Sequence, residues 1–173
     1  MSLRHAILGL LAEHPASGYE LLQRFDRSLA FVWPATQSQL YTELNKLAAE
    51  GMVEAAPAGP RGRKEYALLP PGRAELHQWL TEKEPERVRR SPAMLRVFFL
   101  WLMDPAERAA FLARERAAHE AALRELEHLA ATVPWDRSEF TRCGRIALEN
   151  GLRTARADIA WAEWAQEQPL DGG

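Results

Sequence analysis

A mainly α-helical chain carrying one short β-hairpin is what this sequence predicts, and three observations predict it. Apolar residues recur every three or four positions through most of the 173 residues. Only two short runs, MVEAA (52–56) and KEYALL (64–69), read as strands, and a Gly/Pro/Arg bend joins them. Capping signals stand ahead of several apolar runs: Ser17 with Glu20 three residues on, Thr36, Ser91-Pro92 and Asp104-Pro105.

The elements follow in order. Residues 3–13 place Leu3, Ile7, Leu10 and Leu11 at helical spacing, and HPAS breaks that helix. Ser17 caps a second helix with Tyr19, Leu22, Phe25 and Leu29 as its apolar stripe. Pro34 interrupts the chain again, and Thr36 caps a third helix through about Glu50, with Leu40, Leu44 and Leu47 facing inward. Gly51 is placed to end it in a left-handed conformation. The hairpin comes next, longer than a two-residue turn. A fourth helix, 71–83, carries Leu76, Trp79 and Leu80 on one face. Helix, helix, helix, hairpin, helix is the winged helix-turn-helix arrangement, which assigns residues 1–83 to one domain. The polar stretch 81–91 reads as a linker.

Residues 91–168 read as a second, all-helical domain. Its first helix spans 91–103, with Pro92 at the first helical position. A second spans 105–131 with the seam Phe111, Ala118, Ala122, Leu126, Leu129 and Val133. A third spans about 136–166 with Phe140, Cys143, Ala147, Gly151, Ala155, Ile159 and Ala162 on one side. The near-heptad spacing of these seams leaves a flank of each long helix uncovered. A second subunit covers it in one reading; the winged unit packed on an intramolecular bundle covers it in the other. The first is favoured, which makes the second domain a dimerisation domain.

Composition bounds the function. Hydrophobic residues are 47% and charged residues 27%, a mixture that buries a core. The formal net charge is −2, and residues 1–83 hold nine Lys and Arg against nine Asp and Glu. No domain-wide basic excess advertises a polyanion, so anion binding must come from local placement. A single cysteine, Cys143, excludes an intrachain disulfide and fits a reducing compartment. Its expected place is the core. The apolar run 6–12 is too short to span a bilayer and lacks a signal-peptide cleavage pattern, so the chain reads as cytoplasmic with no membrane partner.

Several stretches now form a pattern. ILGLLAEHPASGYELLQRF (7–25) and FVWPATQSQLYTELNKLAAEGMVEAA (31–56) resemble the opening of the PadR family of bacterial transcriptional regulators. GRKEYALLPPGRAELHQWL (62–80) is similar to that family's wing strand and following helix, and MLRVFFL (94–100) to the start of its longer C-terminal domain. The resemblance implies a homodimeric repressor of double-stranded DNA, with a small aromatic or amphipathic effector.

The residues support a DNA-contacting reading on their own chemistry. A helix in the major groove presents donors and acceptors to base edges. The third helix offers uncharged hydrogen-bonding residues at its start and one cation, Lys46, with Glu43 and Glu50 near it. Thr36, Gln37, Ser38, Tyr41, Thr42 and Lys46 are therefore contact candidates. Arg61, Arg63 and Lys64 stand on the hairpin bend, where glycines let the backbone approach a sugar-phosphate chain. A solvated bend is the plainer alternative for that cluster. A winged-helix module that binds protein rather than DNA is the alternative for the whole chain, supported by the neutral balance of residues 1–83.

Trp101, His119 and Trp161 are candidates for an effector pocket, against tryptophans that merely pack between subunits. No metal site or catalytic residue is expected. The five histidines form no HxxxH pair, there is no CxxC, and no GxSxG, P-loop or dinucleotide fingerprint occurs. No cofactor is implied.

Overall fold

The computed structural model describes residues 2–57, 64–85, 90–136 and 138–169. The chain divides into two compact units, Met1–Pro85 with Arg137–Gly144, and Glu86–Asp136 with Arg145–Gly173.

In the first unit, helix α1 (Ser2–Glu13) leads into a two-residue strand, β1 (Ala16–Ser17), then α2 (Gly18–Ser28) and α3 (Gln37–Ala49). Strands β2 (Val53–Pro57) and β3 (Lys64–Leu68) follow, then α4 (Pro70–Glu82). The sheet is antiparallel throughout, in the order β1-β3-β2. Val53 faces Leu68 and Pro57 faces Lys64 across the hairpin, while Ala16 pairs with Tyr66 on the other edge. The HPAS stretch is thus more than a break: Ala16 and Ser17 form an edge strand as well as starting α2. The bend between β2 and β3 lies outside the described residues.

Local chemistry fixes the helix ends. The Ser17 hydroxyl accepts the Glu20 N–H, and the Glu20 carboxylate accepts the Ser17 N–H at 2.8 Å. Thr36 and Gln39 repeat this capping box at the start of α3. Gly51 ends α3 at φ 69°, a conformation that costs a residue with a Cβ about 1 kcal/mol. Helix α4 starts without a side-chain cap, because Pro70 and Pro71 fill its first two positions and bring no N–H to satisfy.

Leu40, Leu44 and Leu47 of α3 are fully buried, against Ile7 and Leu8 of α1 and Leu21 and Phe25 of α2. Each such side chain stabilises the unit by about 1.5–3 kcal/mol relative to exposure. Tyr66 is buried and Leu68 packs on the same core, so the wing is anchored by alternate residues of β3. Of the stripe expected on α2, Phe25 is buried and Leu22 and Leu29 pack on the core, whereas Tyr19 is exposed and its hydroxyl accepts from the Gln23 amide at 2.8 Å. Leu21 takes the buried place instead. On α4, Leu80 is exposed, and Trp79 stacks on His5 of α1 with centroids 4.4 Å apart.

In the second unit, the helix expected over 91–103 is shorter. Helix α5 (Pro92–Phe98) is capped by Ser91, and a 3₁₀ turn at Leu100–Leu102 replaces its continuation. The tighter turn carries Leu100 into a cluster with Phe111, Leu112 and Ala165. Helix α6 (Pro105–Thr132) opens with an Asp104–Glu107 capping box, and α7 spans Glu139–Glu167. Ion pairs Arg116–Glu163 and Arg156–Glu127 join α6 and α7 in antiparallel sense. Of the expected seams, Phe111, Ala155 and Ala162 are buried, and other members are not. Ala118 and Ala122 are exposed, and so is Cys143, which is not a core residue. Leu148 and Leu152 are buried in place of the Cys143 and Ala147 positions. Burial follows whichever face meets a neighbour, and spacing alone leaves that rotation open by one residue. No described helix is long and apolar enough to cross a membrane.

Candidate nucleic-acid interface

Helix α3 organises the candidate surface. Its three leucines lock one face into the core, so the opposite face is presented outward. Ser38, Thr42, Asn45 and Lys46 are exposed there, and Gln37 is exposed at the first position of the helix, on the side of Leu44. Tyr41 is half-buried, its ring closed over Gly18: a Cβ on that glycine would stand 2.6 Å from Tyr41 Cε1.

The polar side chains of α3 fall into two groups. Thr36 and Gln39 are engaged with each other in the cap, with the Thr36 N–H donating to Gln39 Oε1 at 2.9 Å. Glu43 and Glu50 are engaged with Arg4 of α1. Gln37, Ser38, Thr42, Asn45 and Lys46 have no side-chain partner among the described residues. Their donors and acceptors are available to a ligand.

Arg4 is the centre of an ion-pair cluster. Its guanidinium makes a bidentate pair with Glu75 of α4, with Nη2 donating to Oε2 at 2.8 Å. Nη2 also lies 2.7 Å from Glu50, and Nη1 3.6 Å from Glu43. Hydrogen bonding to Glu75 raises the guanidinium's pKa, and the same bond holds the Glu75 carboxyl below its ordinary value. The cluster ties α1, α3 and α4 together. It also changes the electrostatics of the outward face. The two acids expected near Lys46 pair with Arg4 instead, so the Lys46 ammonium has no ion-pair partner among the described residues and stands beside the hydrogen-bonding row.

Lys64 is exposed at the first position of β3, and Arg61 and Arg63 lie outside the described residues. Sequence reasoning missed Arg4, whose partners are up to 71 residues away, and Asn45. The signal for Asn45 was present: it sits opposite Leu40, Leu44 and Leu47 on a helical wheel.

In the second unit, His119 and Trp161 meet edge to face, with centroids 6.5 Å apart, and His119 Nδ1 lies 3.8 Å from Asp158. Trp161 packs on the Leu100–Phe111 cluster. Trp101 is exposed and joins neither ring. Among the described residues no group of His, Cys, Asp and Glu is arranged to hold a metal ion.

Residues 7–78 match the family model of the PadR-like transcriptional regulators, and residues 89–168 that of the virulence activator alpha C-terminal domain. The negative transcriptional regulator PadR of Bacillus subtilis is 28% identical over 170 residues, which are 93% of each chain. The probable transcriptional regulator Rv1176c of Mycobacterium tuberculosis is 43% identical over 98 residues. That match covers 54% of this chain and spans about half of the relative, 52%. The crystal structure of Bacillus subtilis PadR with operator DNA superposes at a TM-score of 0.80 with 27% identity, covering 96% of this chain and 98% of that one. The same protein with p-coumaric acid gives 0.82 over 99% and 100%. The two family models follow one another along the chain, which carries a PadR-like transcriptional-regulator domain followed by a virulence activator alpha C-terminal domain.

Proposed function

We propose that this chain is a homodimeric repressor that binds double-stranded operator DNA through α3 and the β2–β3 wing. The observation that carries this reading is the exposed row on α3, whose polar groups are unengaged while the helix's acids are drawn away to Arg4. The likeness to a PadR solved with operator DNA supports it. In this reading Gln37, Ser38, Thr42 and Lys46 meet the major groove and Tyr41 meets its rim. Thr36 serves chiefly by fixing the first turn of α3, whose free N–H groups suit a phosphate. Arg61, Arg63 and Lys64 grip the backbone beside it.

Residues 1–83 are the DNA-binding domain and 91–168 the dimerisation domain. Exposed Leu95, Phe98, Leu102, Ile146 and Trp164 support a second subunit as the cover for the helical unit. A small aromatic effector is proposed at His119 and Trp161, supported by their ring contact and by the p-coumaric acid bound to the relative. Trp101 is the weaker member of that set. The protein acts in the cytoplasm and has no catalytic role of its own.

Fluorescence anisotropy tests the reading, using duplex DNA from upstream of the protein's own gene beside a scrambled duplex at several salt concentrations. Binding that survives excess scrambled competitor is expected, with a salt slope that counts phosphate contacts. An Arg61/Arg63/Lys64→Ala triple variant should stay dimeric and bind with a shallower slope. Equal, weak binding to both duplexes favours a protein-binding winged helix instead.

A further inference from the structure

We infer that Asn45 reads an adenine in the operator and is a determinant of sequence specificity; the inference rests on the DNA-binding reading of α3. Asn45 lies seven residues after Ser38 and three after Thr42, so the three side chains form one row along the outward face. Seven residues of helix rise about 10 Å, the length of roughly three base steps. An asparagine amide holds an acceptor and a donor side by side. Adenine offers the complementary N6–H₂ donor and N7 acceptor in the major groove. No other base pair edge accepts that pair of bonds as well.

Two features separate Asn45 from its neighbours. Gln39 has the same amide chemistry, but its oxygen is fixed in the Thr36 cap. Gln37 is unengaged, yet it stands at the first position of α3 on a longer, looser side chain. Asn45 is held in mid-helix, directly between the buried Leu44 and the exposed Lys46, with one rotatable bond fewer. Asparagine is also a poorer helix former than alanine, because its amide competes for backbone hydrogen bonds. In mid-helix, exposed and without a side-chain partner among the described residues, it contributes nothing to the fold that alanine would not improve. A local rule broken without structural return marks a residue kept for its surface chemistry.

The test is selection of binding sites from a random-sequence duplex library by the full-length protein and by Asn45→Ala, followed by anisotropy on the selected consensus and its single-base variants. The wild-type consensus should hold an invariant A·T pair in each half-site. Asn45→Ala should relax the preference at that pair alone and lose about 5- to 100-fold in affinity for the consensus per half-site. Its salt slope, its binding to scrambled duplex and its melting temperature should not fall. Asn45→Gln, with the amide retained, should keep part of the preference. An unchanged consensus and affinity for Asn45→Ala overturns the assignment, as does an equal loss on consensus and scrambled duplexes. A relaxed preference at a G·C pair overturns the choice of base. A wild-type protein that selects no consensus overturns the DNA-binding reading itself, and this inference with it.

Discussion

Replacing Arg4 by methionine removes the one cation that three carboxylates share. Glu50 and Glu75 each place an oxygen on the same nitrogen, Arg4 Nη2, at 2.7 and 2.8 Å. The two oxygens are therefore separated by at most about 5.5 Å, the sum of those distances. Without the guanidinium, their repulsion is about 3 kcal/mol at an effective dielectric near 20 and about 0.8 kcal/mol in water. Both carboxylates are partly exposed, at 38% and 27% of the side chain, and can turn outward, so the lower half of that range applies. Arg4→Met should lose about 1–2 kcal/mol at pH 7, measured as a lowered urea midpoint with unchanged slope at fixed protein concentration.

The pH dependence discriminates the cause. In the parent, the Glu75 carboxyl is held below its ordinary value of 4.5 by the Arg4 hydrogen bond. Its contribution is full above that value and is lost as the pH falls through the lower, folded one. In the variant, the neighbouring Glu50 charge, no longer offset by a guanidinium, raises the Glu75 pKa instead, so the folded state takes up a proton before the unfolded chain does. The variant's deficit relative to the parent should therefore shrink between pH 7 and pH 5. Adding Glu50→Gln to Arg4→Met should recover most of the loss at pH 7, since it removes that repulsion. A deficit that stays constant or grows toward pH 5 would refute the reasoning and point to lost side-chain packing instead.

Other outcomes follow from single contacts. Gly72→Ala would place a Cβ 2.3 Å from the Met52 carbonyl oxygen, which already accepts the Leu69 N–H at 3.0 Å; a loss of about 2–3 kcal/mol is expected in thermal unfolding. Gly51→Ala meets open space but keeps φ at 69°, and should cost only about 1 kcal/mol in the same assay. Thr36→Ala should lose about 1 kcal/mol and Thr36→Ser almost nothing, because the hydroxyl that accepts the Gln39 N–H is retained only by serine. Lys64→Ala, which removes one contact from each subunit of the dimer, should reduce the slope of log affinity against log salt by about 2, with the same base preferences, in anisotropy titrations on operator DNA.

What could be read from the chain without its fold was chemistry that acts over three or four residues. Ser17 with Glu20, Asp104 with Pro105, and Gly51 after Glu50 announce helix ends because their partners are local, and Leu40, Leu44 and Leu47 announce a buried face because helical period fixes their common side. Those same leucines fixed the outward face of α3, so most of the candidate interface was legible, and Asn45 was available on the same wheel. The tertiary structure decided what depends on distant neighbours. Ala16 and Ser17 become a strand only because Tyr66 and Glu65 lie beside them. Leu100 leaves the helical path to meet Phe111 and Ala165. Tyr19, Ala118 and Cys143 fit apolar spacing but are exposed. Above all, Glu43 and Glu50 were read as local company for Lys46, whereas Arg4 takes both with the help of Glu75. A charged side chain is long enough to choose among partners, and the partner it finds is set by helix packing across the core, which no spacing along the sequence records.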